Sequence, residues 1–170
     1  MNALPEKPRE PTIQFSRGEG RGTFVLHAEQ WLPSPREKLF EFFSDAFKLE
    51  RLTPPLLRFQ VVTPAPIVIQ AGTLIDYKLR LHGIPIRWQS EITVWEPPLR
   101  FVDRQTRGPY RLWHHEHRFL EHEGGTLVID HVDYRAPGGG LVNRLFVVPD
   151  LHKIFGFRMQ KLQEIFGLPK

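Results

Sequence analysis

Residues 111–136 read RLWHHEHRFLEHEGGTLVIDHVDYRA, two runs of alternating polar and apolar residues that meet at Glu123-Gly124-Gly125. The alternation has the period of a β-strand, and a glycine turn between two such runs marks a hairpin. The first run carries His114, His115 and His117 close together, so their meaning depends on which face of the strand each one occupies. Trp113, His115, His117 and Phe119 share one face. Leu112, His114, Glu116 and Arg118 share the other, which is far more polar and is expected to meet water. In the second run Thr126, Val128, Asp130, Val132 and Tyr134 form the inner set. His131, Asp133 and Arg135 point out, with Leu127 and Ile129 partly exposed among them. A two-residue turn at Gly124-Gly125 pairs Glu123 with Thr126. His115 then opposes Tyr134, Phe119 opposes Asp130, and His117 lies diagonal to Asp130.

Working outward, strand patterns also cover 22–32, 57–63, 73–81, 86–96 and 100–106, separated by proline- and glycine-bearing turns. On 100–106, Phe101, Asp103 and Gln105 fall on one face, and keeping the inner faces together brings Asp103 close to His115. On 73–81 the apolar face is Ile75, Tyr77, Leu79 and Leu81. On 86–95 it is Trp88, Ser90, Ile92 and Val94, which leaves Trp95 outside. Ser34, Pro35 and Glu37 read as a capping box with proline at the first helical position. A helix with Leu39, Phe42 and Phe43 follows, and a break near Ser44-Asp45 leads to a second short helix that ends at Thr53-Pro54-Pro55. After Pro137-Gly-Gly-Gly140, helical spacing returns with Leu141, Leu145, Leu151, Ile154, Phe155, Met159, Leu162 and Phe166, and Pro149 is expected to kink this helix or divide it in two. Residues 1–12, with Pro5, Pro8 and Pro11, are expected to be a flexible arm, and 13–170 a single domain.

The predicted class is α+β: a curved antiparallel sheet of about seven strands wrapped around a long C-terminal helix, with two short helices after the first strand. At this point the chain resembles the START-like superfamily of helix-grip domains, also called SRPBCC, and within it the polyketide cyclase/dehydrase-like ligand-binding proteins of bacteria. The segments that carry the resemblance are SPREKLFEFFSDAFKLERLTPP, GTLIDYKLRLHGIPIRW, WEPPLRFVDRQTRGPYRLWHHEHRF and GGTLVIDHVDYRAP, which span residues 34–137, and the element order extends it to about Phe166. The resemblance implies a fold and an internal cavity more strongly than it implies a reaction.

Composition removes several function classes. With no cysteine there is no disulfide, zinc-thiolate site or cysteine nucleophile. The N-terminus lacks the apolar core of a signal peptide and no long apolar run is present, so a cytoplasmic protein without stable membrane insertion is expected. A formal charge of +4 without a basic stripe argues against nucleic acid as a partner. No G-x-S-x-G elbow occurs, and Pro137–Gly140 is not followed by a phosphate-loop Lys-Ser/Thr pair.

The inner faces together predict a polar belt of Tyr77, Asp103, Gln105, His115, His117, Asp130 and Tyr134 in apolar walls. The candidate catalytic set is His115, His117, Asp103 and Asp130, because a histidine oriented by a carboxylate is a general acid or base. The candidate ligand-binding set is Tyr77, Trp88, Phe101, Gln105, Trp113, Phe119, Tyr134, Phe155 and Met159. The same His–Asp arrangement also fits a satisfied buried network or, through the i, i+2 histidines, a chelate. No longer metal motif accompanies it, so no metal or cofactor is assigned. The expected partner is a hydrophobic small molecule such as a lipid or polyketide. Its entrance is expected at 64–72 and 137–142, with the Pro149 kink; oligomeric state is not legible.

Overall fold

The computed structural model describes residues 10–167. Among them eight strands form one antiparallel sheet: β1 (Thr12–Arg17), β2 (Phe24–Leu32), β3 (Gln60–Val61), β4 (Leu74–Leu81), β5 (Ile84–Glu96), β6 (Arg100–Arg107), β7 (Leu112–His122) and β8 (Gly125–Arg135). Their order is β1-β2-β8-β7-β6-β5-β4-β3. The extra strand is β1, an edge strand in which Thr12 pairs with Glu29. Of the expected arm 1–12, residues 1–9 lie outside the described residues, and Thr12 already belongs to the sheet. The strand expected at 57–63 shrinks to two residues, because Pro55–Leu57 close a 3-10 turn and Arg58 takes a left-handed φ of 44°.

The β7–β8 turn is Glu123-Gly124, with φ of 47° and 74°, and His122 pairs with Gly125. Left-handed geometry at both central residues is that of the type I′ hairpin. Gly125 therefore sits inside β8 and not in the turn. A Cβ there would lie 2.4 Å from the Leu32 carbonyl oxygen and 2.7 Å from the Trp31 ring. The expected pairing slides by two positions: His117 lies directly opposite Asp130, His115 opposite Val132 and Phe119 opposite Val128. A slide of two preserves the face of every side chain.

A bulge does change faces on β5. The register shifts between Ile92 and Val94, which leaves Thr93 unpaired, so Val94 pairs with Val102 and Trp95 with Phe101. Trp95, expected outside, instead packs inward with its ring 5.0 Å from Phe40 and 5.7 Å from Phe101. Two residues of the expected outer face are also more buried than alternation implied. Glu116 is 8% exposed and ion-paired to both Arg100 and Arg118, at 2.8 Å each, and Leu127 is 8% exposed.

The first helix, α1 (Arg36–Phe43), has Pro35 as its N-cap and no capping side chain. The capping box does not form because Ser34 is held by the sheet: its N–H donates to Leu32 O at 2.8 Å and its carbonyl accepts from Thr126 Oγ1 at 2.7 Å. The second helical segment, Ala46–Leu52, is a 3-10 helix capped by Asp45, whose carboxylate accepts from Phe47 N. At the other end a short α2 (Gly139–Val142) passes through a π-turn, Asn143–Val147, into α3 (Val148–Phe166). Pro149 is the second residue of α3, but the helical backbone does not start there: Val147 and Val148 already hold helical angles, and the π-turn just ahead accommodates the N–H that proline lacks. The π-turn adds a residue ahead of it and rotates the helix face. Leu141 and Leu145, expected on the buried stripe, are therefore 70% and 55% exposed. The buried residues of α3 are Leu151, Phe155, Arg158, Leu162 and Phe166. No helix among the described residues is long and apolar enough to cross a membrane.

One end of the space between sheet and α3 is filled by aromatic rings in edge-to-face contact, with Phe40 on Phe119 at 5.4 Å and Phe42 on Phe166 at 5.0 Å. The other end remains open. Gly125→Ala drives a methyl group against the Leu32 carbonyl oxygen and the Trp31 ring and is expected to lower unfolding free energy by about 1–3 kcal/mol, the usual cost of overpacking. Urea denaturation checks this, and a change within error would show that β2 yields freely there.

Candidate functional site

The open end is a cavity of about 190 Å³. The sheet lines it with Ile75, Tyr77, Leu79, Trp88, Ile92, Phe101 and Trp113, the 3-10 segment with Ala46 and Leu49, and α3 with Leu151, Ile154 and Phe155. Its polar lining includes Ser90, Asp103, His115, His117 and Arg158. Leu81 and Ile86, which flank the β4–β5 turn, also line it and keep partial exposure, so it opens beside that hairpin. At the hairpin tip His82 Nε2 lies 2.7 Å from Asp150 Oδ2 on α3. Of the expected entrance, 64–72 contributes Ile69 to the wall and 137–142 contributes nothing.

Asp103 pairs across the sheet with His115, and His117 with Asp130, but the hydrogen bonds run diagonally. His115 Nε2 and Asp130 Oδ1 are 2.8 Å apart, and His117 Nε2 and Asp103 Oδ2 are 2.9 Å apart. The two imidazole rings lie 3.7 Å apart, and His117 stacks on Phe101 at 4.1 Å. His117 Nδ1 is 3.1 Å from Asp130 Oδ1 but too poorly aligned to hydrogen-bond. From α3, Arg158 Nη1 donates to the same Asp130 oxygen at 3.3 Å. Asp103 also accepts from Ser90 Oγ at 3.4 Å, and Ser90 accepts from Trp88 Nε1 at 3.0 Å.

Burial alone would neutralise all of these groups. It raises the Asp130 carboxyl, yet the Arg158 charge and the two histidines hold it well below its ordinary value. Burial likewise opposes the Asp103 charge, and the hydrogen bond from His117 with the nearby imidazole charges keeps it below the ordinary value. The histidines separate. Burial, followed by repulsion from His117, pushes His115 down to about 4 against the pull of Asp130 and Asp103. Burial opposes protonation of His117 too, but the bond to Asp103 and the adjoining Asp130 carboxylate raise it. Two carboxylates thus stand against Arg158 and His117, whose proton affinity they raise. The neutral His115 uses its Nε2–H on Asp130, which leaves the Nδ1 lone pair free, 3.8 Å from Asp103 Oδ2.

All four candidate catalytic residues therefore come together, with Asp130 behind the histidines and not on the wall. Of the nine candidate ligand-binding residues, Tyr77, Trp88, Phe101, Trp113 and Phe155 line the cavity. Gln105, Phe119, Tyr134 and Met159 do not. Gln105 ties the β6–β7 turn through both ends of its amide to Tyr110. Phe119 is fully buried in the aromatic end, and Tyr134 is fully buried beside Phe24, Tyr110 and Trp113. Met159 packs partly buried against the cluster around Trp113, its carbonyl accepting from Gln30 Nε2. The residue that strand reasoning missed is Arg158, 8% exposed. Its signal was present: Leu151, Phe155, Arg158 and Leu162 keep helical spacing, and Arg158 is the charged member of an apolar stripe.

A curved antiparallel sheet closed over a long C-terminal helix with a cavity between them defines a helix-grip domain of the START-like, or SRPBCC, class. Within it the chain belongs to the family described as polyketide cyclase / dehydrase and lipid transport, whose profile matches residues 32–155. Similar solved structures include the Zhui aromatase/cyclase from Streptomyces sp. R1128, at 12% identity and a TM-score of 0.67 over 84% of this chain and 93% of that one. Another is the protein TTHA0849 from Thermus thermophilus, at 21% identity and 0.66 over 82% and 94%. A START superfamily protein from Mycobacterium smegmatis superposes at 8% identity and 0.64 over 83% and 98%. At these identities the likeness is one of fold. No curated protein matches the chain in sequence.

The charge pattern makes stability depend on pH in two opposing ways. The unfolded chain protonates His115 near 6.5 whereas the folded chain does so near 4. Unfolding free energy should therefore fall as pH drops from 6.5 toward 4, and the depressed Asp103 and Asp130 add to the loss at the acid end. His117 acts in the opposite sense: its contribution is complete below 6.5 and is lost as pH rises through its raised value. Denaturant titrations across this range should show His115→Gln flattening the acid limb and His117→Gln the alkaline one. Arg158→Leu, which leaves Asp130 unbalanced, should cost about 3–5 kcal/mol, with much of the loss recovered in Arg158→Leu/Asp130→Asn.

Proposed function

We propose that this domain binds a compact hydrophobic molecule in the cavity, with one polar oxygen directed at the His115–Asp103 end. The observation that carries the reading is the cavity itself: apolar walls with convergent polar groups at one end, the usual make-up of a small-molecule site. Its volume of about 190 Å³ compares with the cavity of about 150 Å³ that takes up benzene in an engineered protein. The volume thus favours a one- or two-ring compound over a full acyl chain. The family's description, polyketide cyclases, dehydrases and lipid transport, supports an apolar ligand in general.

Trp88 and Trp113 line the cavity and so report on its occupant. Titration with 2-naphthol is expected to quench tryptophan fluorescence saturably. Ala46→Leu and Leu79→Phe, which fill the space from two sides, should each weaken binding by about tenfold or more, which is ~1.4 kcal/mol. Unchanged affinity in both folded variants would count against the cavity as the site.

A second reading has its own observation. His115 lines the cavity with its Nδ1 left free by the bond to Asp130, a position suited to taking a proton from carbon next to a ligand carbonyl, and its pKa of about 4 makes it a weak base for which placement would have to compensate. The measurement is deuterium exchange into 2-tetralone followed by NMR. Exchange faster than buffer that disappears in His115→Gln and persists in His82→Gln supports the reading, and exchange at the buffer rate ends it.

A further inference from the structure

Three ligand atoms converge at the polar end of the cavity: His115 Nδ1, His117 Nε2 and Asp103 Oδ2. Each of the three side chains offers a ligand atom within 4.8 Å of the others, and Asp103 Oδ2 is the atom nearest both His117 Nε2 and His115 Nδ1. We propose that Asp103, His115 and His117 form a binding site for one divalent transition-metal ion of borderline softness, zinc or ferrous iron, with its open coordination position facing the cavity.

The distances suit such an ion with small movements. Bonds of about 2.0–2.2 Å in tetrahedral geometry separate neighbouring ligand atoms by about 3.3 Å. Here Asp103 Oδ2 is 2.9 Å from His117 Nε2 and 3.8 Å from His115 Nδ1. Two imidazoles and one carboxylate select zinc or ferrous iron over magnesium and calcium, which take oxygen ligands.

The outer shell is also in place. Metal-bound histidines commonly turn their other nitrogen toward a carboxylate, which fixes the ring. Here His115 Nε2 bonds Asp130 Oδ1 at 2.8 Å, and His117 Nδ1 lies 3.1 Å from the same atom and needs only a small turn of its ring to bond it, while Arg158 holds that oxygen at 3.3 Å. Stacking on Phe101 restrains the His117 ring further. Asp103, His115 and His117 all contribute to the cavity wall, so the protein leaves the remaining coordination position on the ligand side.

Binding exchanges the proton shared by His117 and Asp103 for the dication, which raises the local charge by one. Hydroxide or an anionic oxygen of the cavity ligand restores the balance at the open position. A second group of histidines and acids, His27, Glu29, His131 and Asp133, lies on the outer face, with His27 bonded to Glu29 and His131 close to Asp133. It provides the competing site that a test has to separate.

The experiment titrates the metal-free full chain with Co²⁺ near neutral pH and follows its visible d–d absorption. The expected result is one ion per chain with the intense bands of four- or five-coordinate cobalt. Binding should be lost in His115→Gln and in His117→Gln, be weakened about 10–100-fold in Asp130→Asn, and be unchanged in His27→Ala/His131→Ala. X-ray absorption at the cobalt edge of the unmodified protein reads the ligands without substitution, and two imidazoles with oxygen donors are expected. The proposal is overturned if no ion binds, if binding survives both glutamine substitutions, if it disappears with His27 and His131 alone, or if the edge spectrum shows an all-oxygen shell. The titration uses no organic ligand, so its outcome is independent of the 2-naphthol measurement.

Discussion

Two carboxylates set between apolar layers, Asp130 buried and Asp103 partly so, remain ionised only if the protein supplies matching positive charge at hydrogen-bonding distance. Asp130 Oδ1 is approached from three sides: the neutral His115 on the neighbouring strand β7 donates a hydrogen bond, and His117 on β7 and Arg158 on α3 stand against its charge. The arginine contact is the tertiary one. It joins the sheet to the helix that closes it, through a polar bond set in an otherwise apolar stripe. A helix held by Leu151, Phe155 and Leu162 alone could slide or rotate against smooth apolar walls. The guanidinium on Asp130, together with the Gln30 bond to the Met159 carbonyl and the His82–Asp150 contact, singles out one register, in the way that buried polar contacts specify structure elsewhere.

The same contact accounts for the uneven filling of the interior. Beyond His117 the space is closed by Phe40, Phe101, Phe119 and Phe166 in a mesh of edge-to-face and stacked rings. On the near side Asp103, His115 and Arg158 line the wall, and rings packed tightly over them would bury polar atoms without partners. Collapse of the open end is opposed by that cost. His117 stands at the boundary, with one face on Phe101 and the other toward His115. A cavity beside a buried charge cluster is thus a consistent pair, each helping to keep the other.

Strand alternation made much of this legible from sequence. The period of two assigns His115, His117, Asp103 and Asp130 to the inner face, and that assignment survives a turn one residue out of place because the pairing slides by an even number. Alternation fails where a residue is inserted. Thr93 carries no mark that makes it a bulge, yet it sends Val94 and Trp95 to the faces opposite those expected. The π-turn at Asn143–Val147 does the same for Leu141 and Leu145. Side-chain reach is the other gap. Gln105, Phe119 and Tyr134 lie on the inner face but are used up in a turn and in packing, which depends on rotamers and on where α3 comes to rest. Arg158 was legible in principle, since a lone charge on an apolar helical stripe needs a partner, but naming Asp130 as that partner requires the helix in place.

The protonation pattern also bears on what the inner end of the cavity recognises. With His117 bonded to Asp103, which raises its proton affinity, and His115 donating to Asp130, His115 Nδ1 is left as an acceptor at the cavity wall. An acceptor prefers the hydroxyl of a phenol or an enol to a ketone oxygen, which brings a second lone pair. A carboxylate is disfavoured outright, because the cluster is already neutral and Asp103 stands close by. Exchange of the shared proton for a dication reverses the preference: the open position then seeks an anionic oxygen, and a phenol enters as phenolate. In the proposed site, ligand choice and metal occupancy would be coupled through the same three side chains, in both directions and by the same factor, as linkage requires.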